Sequence, residues 1–152
     1  MTPFGFAPEE IDTAAPTRSA RLKWVVVVDA DLPPGRAVNA AVCLAAATGS
    51  RVTGLLGPDA VDAAGAVHPG LPWAGCTVLA ADADQLAAVR AKAAGSEDVL
   101  VVDMPDHAQQ TRVYDEYLAA VAGDAAPRYT AVGLVGPRNR VDRIVGRLPL
   151  LG

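Results

Sequence analysis

The stretch KWVVVVDADLPPGRAVNAAVCLAAATG, residues 23–49, decides the fold because its three parts predict a strand, a turn and a helix. Residues 24–28 are apolar on both faces of an extended chain, which is typical of a strand buried from both sides in an α/β protein. A turn follows at residues 31–35, since two prolines remove backbone donors and a glycine frees the backbone. Ligands of α/β proteins tend to bind at such carboxyl ends of strands, so we expect a functional cleft there.

The helix after this turn carries two stripes. An apolar stripe is predicted to face the sheet and consists of Val38, Ala41, Val42 and Ala45. The second stripe brings Arg36, Asn39 and Cys43 to one face, and a cation, an amide and a thiol in that arrangement can orient a polar substrate. The alternative is an ordinary helix flank with a buried cysteine, and the sequence leaves both interpretations open.

The composition predicts one domain with an aliphatic core. The chain has 152 residues, of which 51% are hydrophobic and only 5% aromatic. A net charge of −4 provides no field that attracts a polyanion, so we expect no nucleic-acid partner. Cys43 and Cys76 lack metal or redox spacing, which predicts two reduced thiols and a cytoplasmic protein. We expect no membrane partner, because no apolar run is long enough to cross a bilayer.

The remainder of the chain alternates predicted strands and helices. Residues 1–20 lack the apolar run of a signal peptide and predict a flexible arm, whereas residues 21–152 predict a single α/β domain. Further strands are predicted at residues 51–56, 76–80, 97–102 and 129–135, and helices at 60–64, at 83–94, from 106 and after 137. Asp82 and Gln85 form the capping box of the helix at 83–94. Trp73 is expected to plug its loop onto the core.

His107 is a candidate general acid or base. It lies near a predicted helix start beside Asp103 and Asp106, and carboxylates so close raise the pKa of an imidazole. Thr111 shares its face one turn later. The alternative is a solvated histidine at a helix cap.

The last predicted helix is rich in arginine. Five of the thirteen basic residues fall within twenty positions, namely Arg128, Arg138, Arg140, Arg143 and Arg147. These arginines form either a binding surface for a phosphate-bearing partner or a solvated helix face. No Gly-rich phosphate loop, paired-cysteine metal site or Gly-x-Ser-x-Gly elbow occurs, so we expect neither a cofactor nor a metal.

Two stretches resemble the type II peptidyl-tRNA hydrolase family. That family opens on a strand followed by D-L-x-M-G-K-G-K-x-A-A-Q-C-x-H-A, and residues 31–46 here are DLPPGRAVNAAVCLAA. It closes on a strand, Gly-Pro and a helix, and here residues 132–137 are VGLVGP and residues 141–151 are VDRIVGRLPLL. The positions retained are Asp31, Gly35, a basic residue at Arg36, Cys43 and the turn at Gly136. The family's lysine, glutamine and histidine are replaced by Val38, Val42 and Ala45, so authentic peptidyl-tRNA cleavage is not expected.

The chain is more similar to a side branch of that fold, a family of small bacterial proteins of unknown function. The similarity lies in Asp-Leu-Pro at residues 31–33, in Asn39, in an additional strand around Val52 and in the helix that begins at His107. This resemblance implies a three-layer α/β/α sandwich whose mixed, mostly parallel sheet has four to five strands. A shared fold does not determine chemistry.

We therefore hypothesise a diverged hydrolase, or an enzyme that processes acyl or amide groups of a small substrate. The catalytic candidates are His107, Asp103 and Cys43. The substrate-binding candidates are Asp31, Arg36, Asn39, Thr111, Gly136 and Arg138. Two alternatives stay open: a non-catalytic dimer that binds a small molecule or a protein, and a tRNA- or ribosome-associated protein that uses the arginine helix. The resemblance implies a homodimer.

Overall fold

The computed structural model describes residues 3–152 and forms a mixed α/β fold around one four-stranded sheet. The strands are β1 (Leu22–Asp29), β2 (Ala60–Val61), β3 (Val67–His68), β4 (Thr77–Ala81), β5 (Leu100–Pro105) and β6 (Tyr129–Pro137). The helices are α1 (Pro34–Arg51), α2 (Ala83–Ala94), α3 (His107–Gln110), α4 (Tyr114–Ala122) and α5 (Arg138–Val145). Strands β2 and β3 form a separate short hairpin.

The main sheet is mixed and has the strand order β4–β1–β6–β5. Strand β1 runs parallel to β4, whereas β6 runs antiparallel to both β1 and β5. Strands β1, β4 and β5 thus run in one direction. Their carboxyl ends lie at the same end of the sheet as the first residue of β6. This arrangement confirms the predicted mixed sheet of four to five strands, although two of its three strand pairings are antiparallel.

Helices cover both faces of the sheet, as the apolar run in β1 predicted. Val26 and Val28 belong to the core beneath α1, whereas Val25 and Val27 belong to the core beneath α2 and α5. All four side chains are at most 2% exposed. A strand with two buried faces needs apolar residues at every position, which explains the uninterrupted valines.

Helix α1 presents a different stripe to the sheet from the predicted one. Its buried residues are Ala37, Ala40, Leu44 and Thr48. Val38 and Val42, which we predicted to face inward, are 62% and 60% exposed. The predicted stripe was therefore wrong by about one residue. Small alanines let the helix backbone approach the sheet closely, and Leu44 then reaches Gly133 on β6, where an added Cβ would lie 3.4 Å from its Cδ2.

Two predicted elements between α1 and β4 do not form. The strand expected at residues 51–56 is absent from the main sheet, because α1 continues to Arg51 and the chain then pairs with the N-terminal segment. Thr53 accepts a hydrogen bond from the backbone of Phe6 and donates one to Phe4, both at 2.8 Å. The helix expected at residues 60–64 is replaced by the β2–β3 hairpin, in which Asp62 accepts hydrogen bonds from two backbone N–H groups.

The N-terminal segment, for which the sequence predicted a flexible arm, packs against the α1 side of the domain over its described residues 3–20. Phe6 is only 4% exposed, and its ring centroid lies 4.8 Å from that of Trp73. Trp73 also donates from Nε1 to the carbonyl of Gly54 at 2.9 Å, so it plugs its loop onto the core. Met1 and Thr2, also part of the predicted arm, lie outside the described residues.

The second half of the chain follows the predicted order with shifted boundaries. The capping box of α2 is confirmed, since Asp82 and Gln85 exchange hydrogen bonds of 2.8 and 2.9 Å. Strand β5 begins three residues later than predicted, at Leu100. The single helix expected from residue 106 is divided into α3 and α4 by the extended residues Thr111 and Val113.

The two edge strands of the main sheet differ in their cover. Strand β4 is covered by the end of the chain, because Ala80 donates to Pro149 at 2.8 Å and Leu151 donates to Val78 at 3.1 Å. Within residues 3–152, no strand pairs with the outer side of β5. The open edge of β5 is where the principal cavity lies.

Candidate functional site

A cavity of about 520 Å³ lies beside the open edge of β5, between α1 and the break that separates α3 from α4. Its apolar wall consists of Leu44, Ala47, Val102, Met104, Ala108 and Val113. Its polar lining consists of Asn39, Cys43, Asp103, Thr111, Arg112, Tyr114 and Tyr117. The cavity thus runs along α1, whereas the sequence predicted a cleft at the turn before that helix.

Four of the nine predicted site residues line this cavity: Asn39, Cys43, Asp103 and Thr111. Asn39 and Cys43 are one helical turn apart on α1, on the flank that faces β5. Cys43 is exposed, which excludes the alternative of a buried cysteine. The predicted second stripe of α1 therefore does contribute two neighbouring polar groups to one space.

Gln109, which the sequence analysis missed, holds the Asn39 side chain in place. Its Nε2 donates to Asn39 Oδ1 at 3.1 Å and to the carbonyl of Arg36 at 2.9 Å. This pair of hydrogen bonds joins α3 to α1. Because Oδ1 already accepts, the amide N–H groups of Asn39 are the ones that stay available to a ligand.

His107 does not line the cavity, although the neighbouring Ala108 does. Its Nε2 lies 2.8 Å from Oδ2 of Asp124, and its Nδ1 lies 3.8 Å from Oδ1 of Asp106. The pKa of Asp124 is lowered, first by the backbone N–H of Ala126 and next by the hydrogen bond with His107. The imidazole thus joins α3 to the loop before β6 instead of facing Asn39.

Asp103 has a cationic partner on α2, the helix on the face of the sheet opposite α1. Arg90 of α2 donates from Nε to Oδ2 of Asp103 at 3.0 Å, and its guanidinium lies 5.3 Å from the ring centroid of Tyr129. The sequence placed Asp103 beside His107, but the charge of Asp103 is compensated by Arg90.

Tyr117 is a neutral hydrogen-bond donor in the cavity. Burial, then Tyr114 and then Asp103 raise the pKa of its phenol.

The other substrate-binding candidates lie outside the cavity. Asp31 and Arg36 are exposed near the turn, where the Asp31 N–H donates to Oδ1 of Asp29 at 2.9 Å. Gly136 and Arg138 lie near the other end of the strands. Strand β6 is antiparallel to β1 and ends where β1 begins, with Pro137 opposite Leu22. Arg138 donates to the carbonyls of Ala20 and Thr17 at 3.3 and 3.2 Å. None of these four residues lines the cavity that Asn39 lines.

Arg112, Tyr114 and Tyr117 were also missed by the sequence analysis. Arg112 is exposed and forms no ion pair with any residue between 3 and 152. The two tyrosine rings meet edge to face, with centroids 5.4 Å apart. The sequence offered only the pair of aromatic residues three positions apart, whereas the structure shows that α4 buries no residue in the core.

Comparison with known proteins identifies the family. Residues 22–152 match the family model described as "Protein of unknown function (DUF2000)". The chain belongs to the DUF2000 family. Its fold is similar to that of a protein of unknown function from Agrobacterium tumefaciens strain C58, with a TM-score of 0.80, 17% identity, and coverage of 87% of this chain and 98% of that one. No curated protein matches the sequence.

The matched region of this DUF2000 protein begins at the first residue of β1 and contains the whole main sheet together with every residue that lines the cavity. The predicted membership of a family of unknown function is thereby confirmed. The similarity to the Agrobacterium protein shows the fold alone, because the two sequences are only 17% identical.

The described part of this DUF2000 protein has neither a metal-binding cluster nor a helix that could span a membrane. Within residues 3–152, no three His, Cys, Asp or Glu side chains come together in a way that could hold a metal ion. No helix in the same range combines the length and the apolar composition that crossing a membrane requires.

Proposed function

We propose that this protein binds a small organic molecule in the cavity between α1, β5 and α4. The observation that carries the proposal is the convergence of apolar walls and available polar groups on one space of about 520 Å³. Small-molecule sites usually enclose roughly 300–1,000 Å³ and combine mostly apolar walls with a few polar groups that orient the ligand.

The polar groups are suited to orienting such a ligand. The amide N–H groups of Asn39 are free to donate, and the phenols of Tyr114 and Tyr117 form no hydrogen bond within residues 3–152. The hydroxyl of Thr111 donates to the carbonyl of His107 at 2.9 Å, so its lone pairs can accept from a ligand. A ligand group that cannot reproduce the hydrogen bonds these groups make to water would lose affinity, so the polar groups select among ligands.

The arrangement favours binding over hydrolysis. A nucleophile needs a general base within about 2.6–3.2 Å, directly or through one water. Cys43 forms no side-chain hydrogen bond with any residue between 3 and 152, and His107 does not line the cavity that Cys43 lines. The small-molecule binding protein, one of the two alternatives from the sequence, has the stronger support.

The relation to type II peptidyl-tRNA hydrolases, the cytoplasmic location and the homodimer stay predictions from the sequence. The tRNA-binding alternative has less support, because part of the arginine group already has partners. Arg138 donates to two backbone carbonyls, Arg140 lies 3.7 Å from Asp98, and Arg128 lies 3.2 Å from Asp29. Such arginines would have to exchange these contacts for phosphates.

The proposal is tested by a fragment screen followed by NMR with ¹⁵N-labelled protein. We expect fragments that bind to shift the amide signals of Asn39, Cys43 and Tyr114. Ala47→Trp should abolish these shifts because the indole fills the cavity, whereas Ala46→Trp places the same side chain at an exposed position outside the lining. The proposal fails if no fragment binds, or if Ala47→Trp binds the fragments as well as Ala46→Trp does.

A further inference from the structure

We infer that the ligand is an organic carboxylate with a flat apolar body, and that Arg112 is its counter-ion. This inference rests on the proposed function, because it names the class of molecule that the same cavity takes. It follows from the charges of the lining, from the position of Arg112 and from the side chains that surround the remaining space.

The charges of the lining leave one cation uncompensated. Only two of the lining residues, Asp103 and Arg112, carry a full charge at neutral pH. Arg90 donates to Asp103 at 3.0 Å and compensates its charge, whereas Arg112 has no ion-pair partner within residues 3–152. Arg112 is therefore the lining cation whose charge no ion pair within residues 3–152 offsets, although the chain as a whole has a net charge of −4.

Two acidic residues near Arg112 do not cancel this charge. Asp115 and Glu116 lie in the first turn of α4, are exposed and do not line the cavity. Neither has an oxygen within 4.0 Å of the Arg112 guanidinium. Exposed charges at larger distances interact weakly because water and salt screen them.

The backbone around Arg112 includes the amino-terminal end of α4, whose first turn also carries Asp115 and Glu116. Arg112 lies between the end of α3 and the start of α4, and the N-cap residue Val113 provides no side-chain hydrogen bond to the first turn of α4. The first N–H groups of that helix are thus without intrahelical partners. A guanidinium forms two parallel hydrogen bonds with a carboxylate, which makes arginine a selective partner for that group.

The rest of the lining fits a flat apolar body. The Tyr114 and Tyr117 rings meet at 61°, and Val102 and Met104 complete the apolar wall. Edge-to-face aromatic contacts and sulfur–aromatic contacts favour a ring in this position. A phosphate ester is less suited, because within the described lining there is only one cation to meet its two negative charges.

The test compares matched acids, primary amides and amines with four bodies: benzoate, phenylacetate, 3-phenylpropanoate and octanoate. Affinities are measured by NMR titration on the full chain and on Arg112→Gln, Arg112→Lys and Arg147→Gln, the last being an exposed arginine outside the cavity. We expect the best acid to bind about tenfold tighter than its amide, as for one charge-assisted hydrogen-bond pair. Arg112→Gln should remove that difference, Arg112→Lys should keep part of it, and Arg147→Gln should leave it unchanged.

Two unfavourable results have different meanings. If amides or amines bind as tightly as the acids, and if Ala47→Trp abolishes that binding, the carboxylate inference is overturned while the cavity remains a binding site. If no member of the panel binds, or if Ala47→Trp has no effect on binding, the proposed function fails as well. Loss of affinity for acids and amides alike in Arg112→Gln would also overturn the role of Arg112 as a counter-ion.

Discussion

Oδ2 of Asp124 lies 2.8 Å from Nε2 of His107, so the imidazole that the sequence marked as an acid or base links α3 to the loop before β6. This contact positions the segment that contains Thr111 and Arg112, because α3 ends immediately before it. His107 therefore contributes to the shape of the cavity wall without facing the cavity.

Asp124 should stabilise the fold in a pH-dependent way. Its pKa is lowered in the folded protein, first by the Ala126 N–H and next by His107. A lowered carboxyl pKa gives stability that is present above the unfolded pKa, about 3.9 for aspartate, and is lost as the pH falls through the folded pKa. Asp124→Asn should therefore lower the free energy of unfolding at pH 6, and the difference from the wild type should shrink towards pH 3. Urea unfolding between pH 3 and pH 6 measures the difference in the free energy of unfolding between the two proteins. A difference that does not change with pH would contradict a stabilising role for the charge of Asp124.

Leu44→Ala should destabilise the fold by about 2–5 kcal/mol, since truncation of a buried leucine leaves a cavity. Leu44 is 1% exposed and lies against Gly133 of the sheet. Val42→Ala is the matched control, because Val42 is 60% exposed and should change the free energy of unfolding by no more than about 0.5 kcal/mol. Urea unfolding of both variants checks the orientation of α1. A larger loss in Val42→Ala would show that the stripe predicted from the sequence was the correct one.

Phe6→Ala should cost about 3–5 kcal/mol if residues 3–20 are part of the folded domain, as expected for a buried aromatic residue. The ring is 4% exposed and contacts Trp73. The change in the free energy of unfolding and the Trp fluorescence are the measurements. A variant as stable as the wild type would favour the flexible arm that the sequence predicted.

Gln109→Ala should weaken ligand binding about three- to tenfold, which corresponds to roughly 1 kcal/mol for a lost hydrogen bond. Without Gln109, the Asn39 side chain loses the donor that orients its amide. Gln110→Ala is the control, because Gln110 is exposed and contacts Asp106 instead. Titration with 3-phenylpropanoate compares the two variants. Equal affinities would show that the orientation of Asn39 has no part in binding.

Cys43 should react with iodoacetamide faster than Cys76 at pH 8. Both residues are exposed as a whole, but desolvation of its thiol raises the pKa of Cys76 to about 11, so little thiolate forms there. Bound 3-phenylpropanoate should slow the labelling of Cys43 and leave Cys76 unaffected, because only Cys43 lines the cavity. Mass spectrometry of the two cysteine peptides measures both rates. Equal protection of the two thiols would contradict the location of the site.

Local patterns in the sequence predicted the elements whose residues interact mainly with sequence neighbours. The buried strand at residues 24–28, the helix at 83–94 and its capping box depend on short-range periodicity and on contacts three residues apart. The hairpin at residues 60–68 was missed because its small, exposed residues have no periodicity. The strand expected at residues 51–56 was wrong because its pairing partner turned out to be the N-terminal segment, which no local pattern indicates.

The sequence by itself determined the mixed α/β class, the sheet with β1 at its centre and the presence of Asn39 and Cys43 on one flank of α1. Tertiary structure alone decided where that flank points and which residues complete the site. Because β6 is antiparallel, Gly136 and Arg138 lie at the other end of the strands. Arg90 forms an ion pair with Asp103. The break between α3 and α4 at Thr111 places Arg112 in the lining of the cavity. The physical reason is that strand order and ion pairing join residues distant in the chain, whereas periodicity reports only which face a residue occupies on its own element.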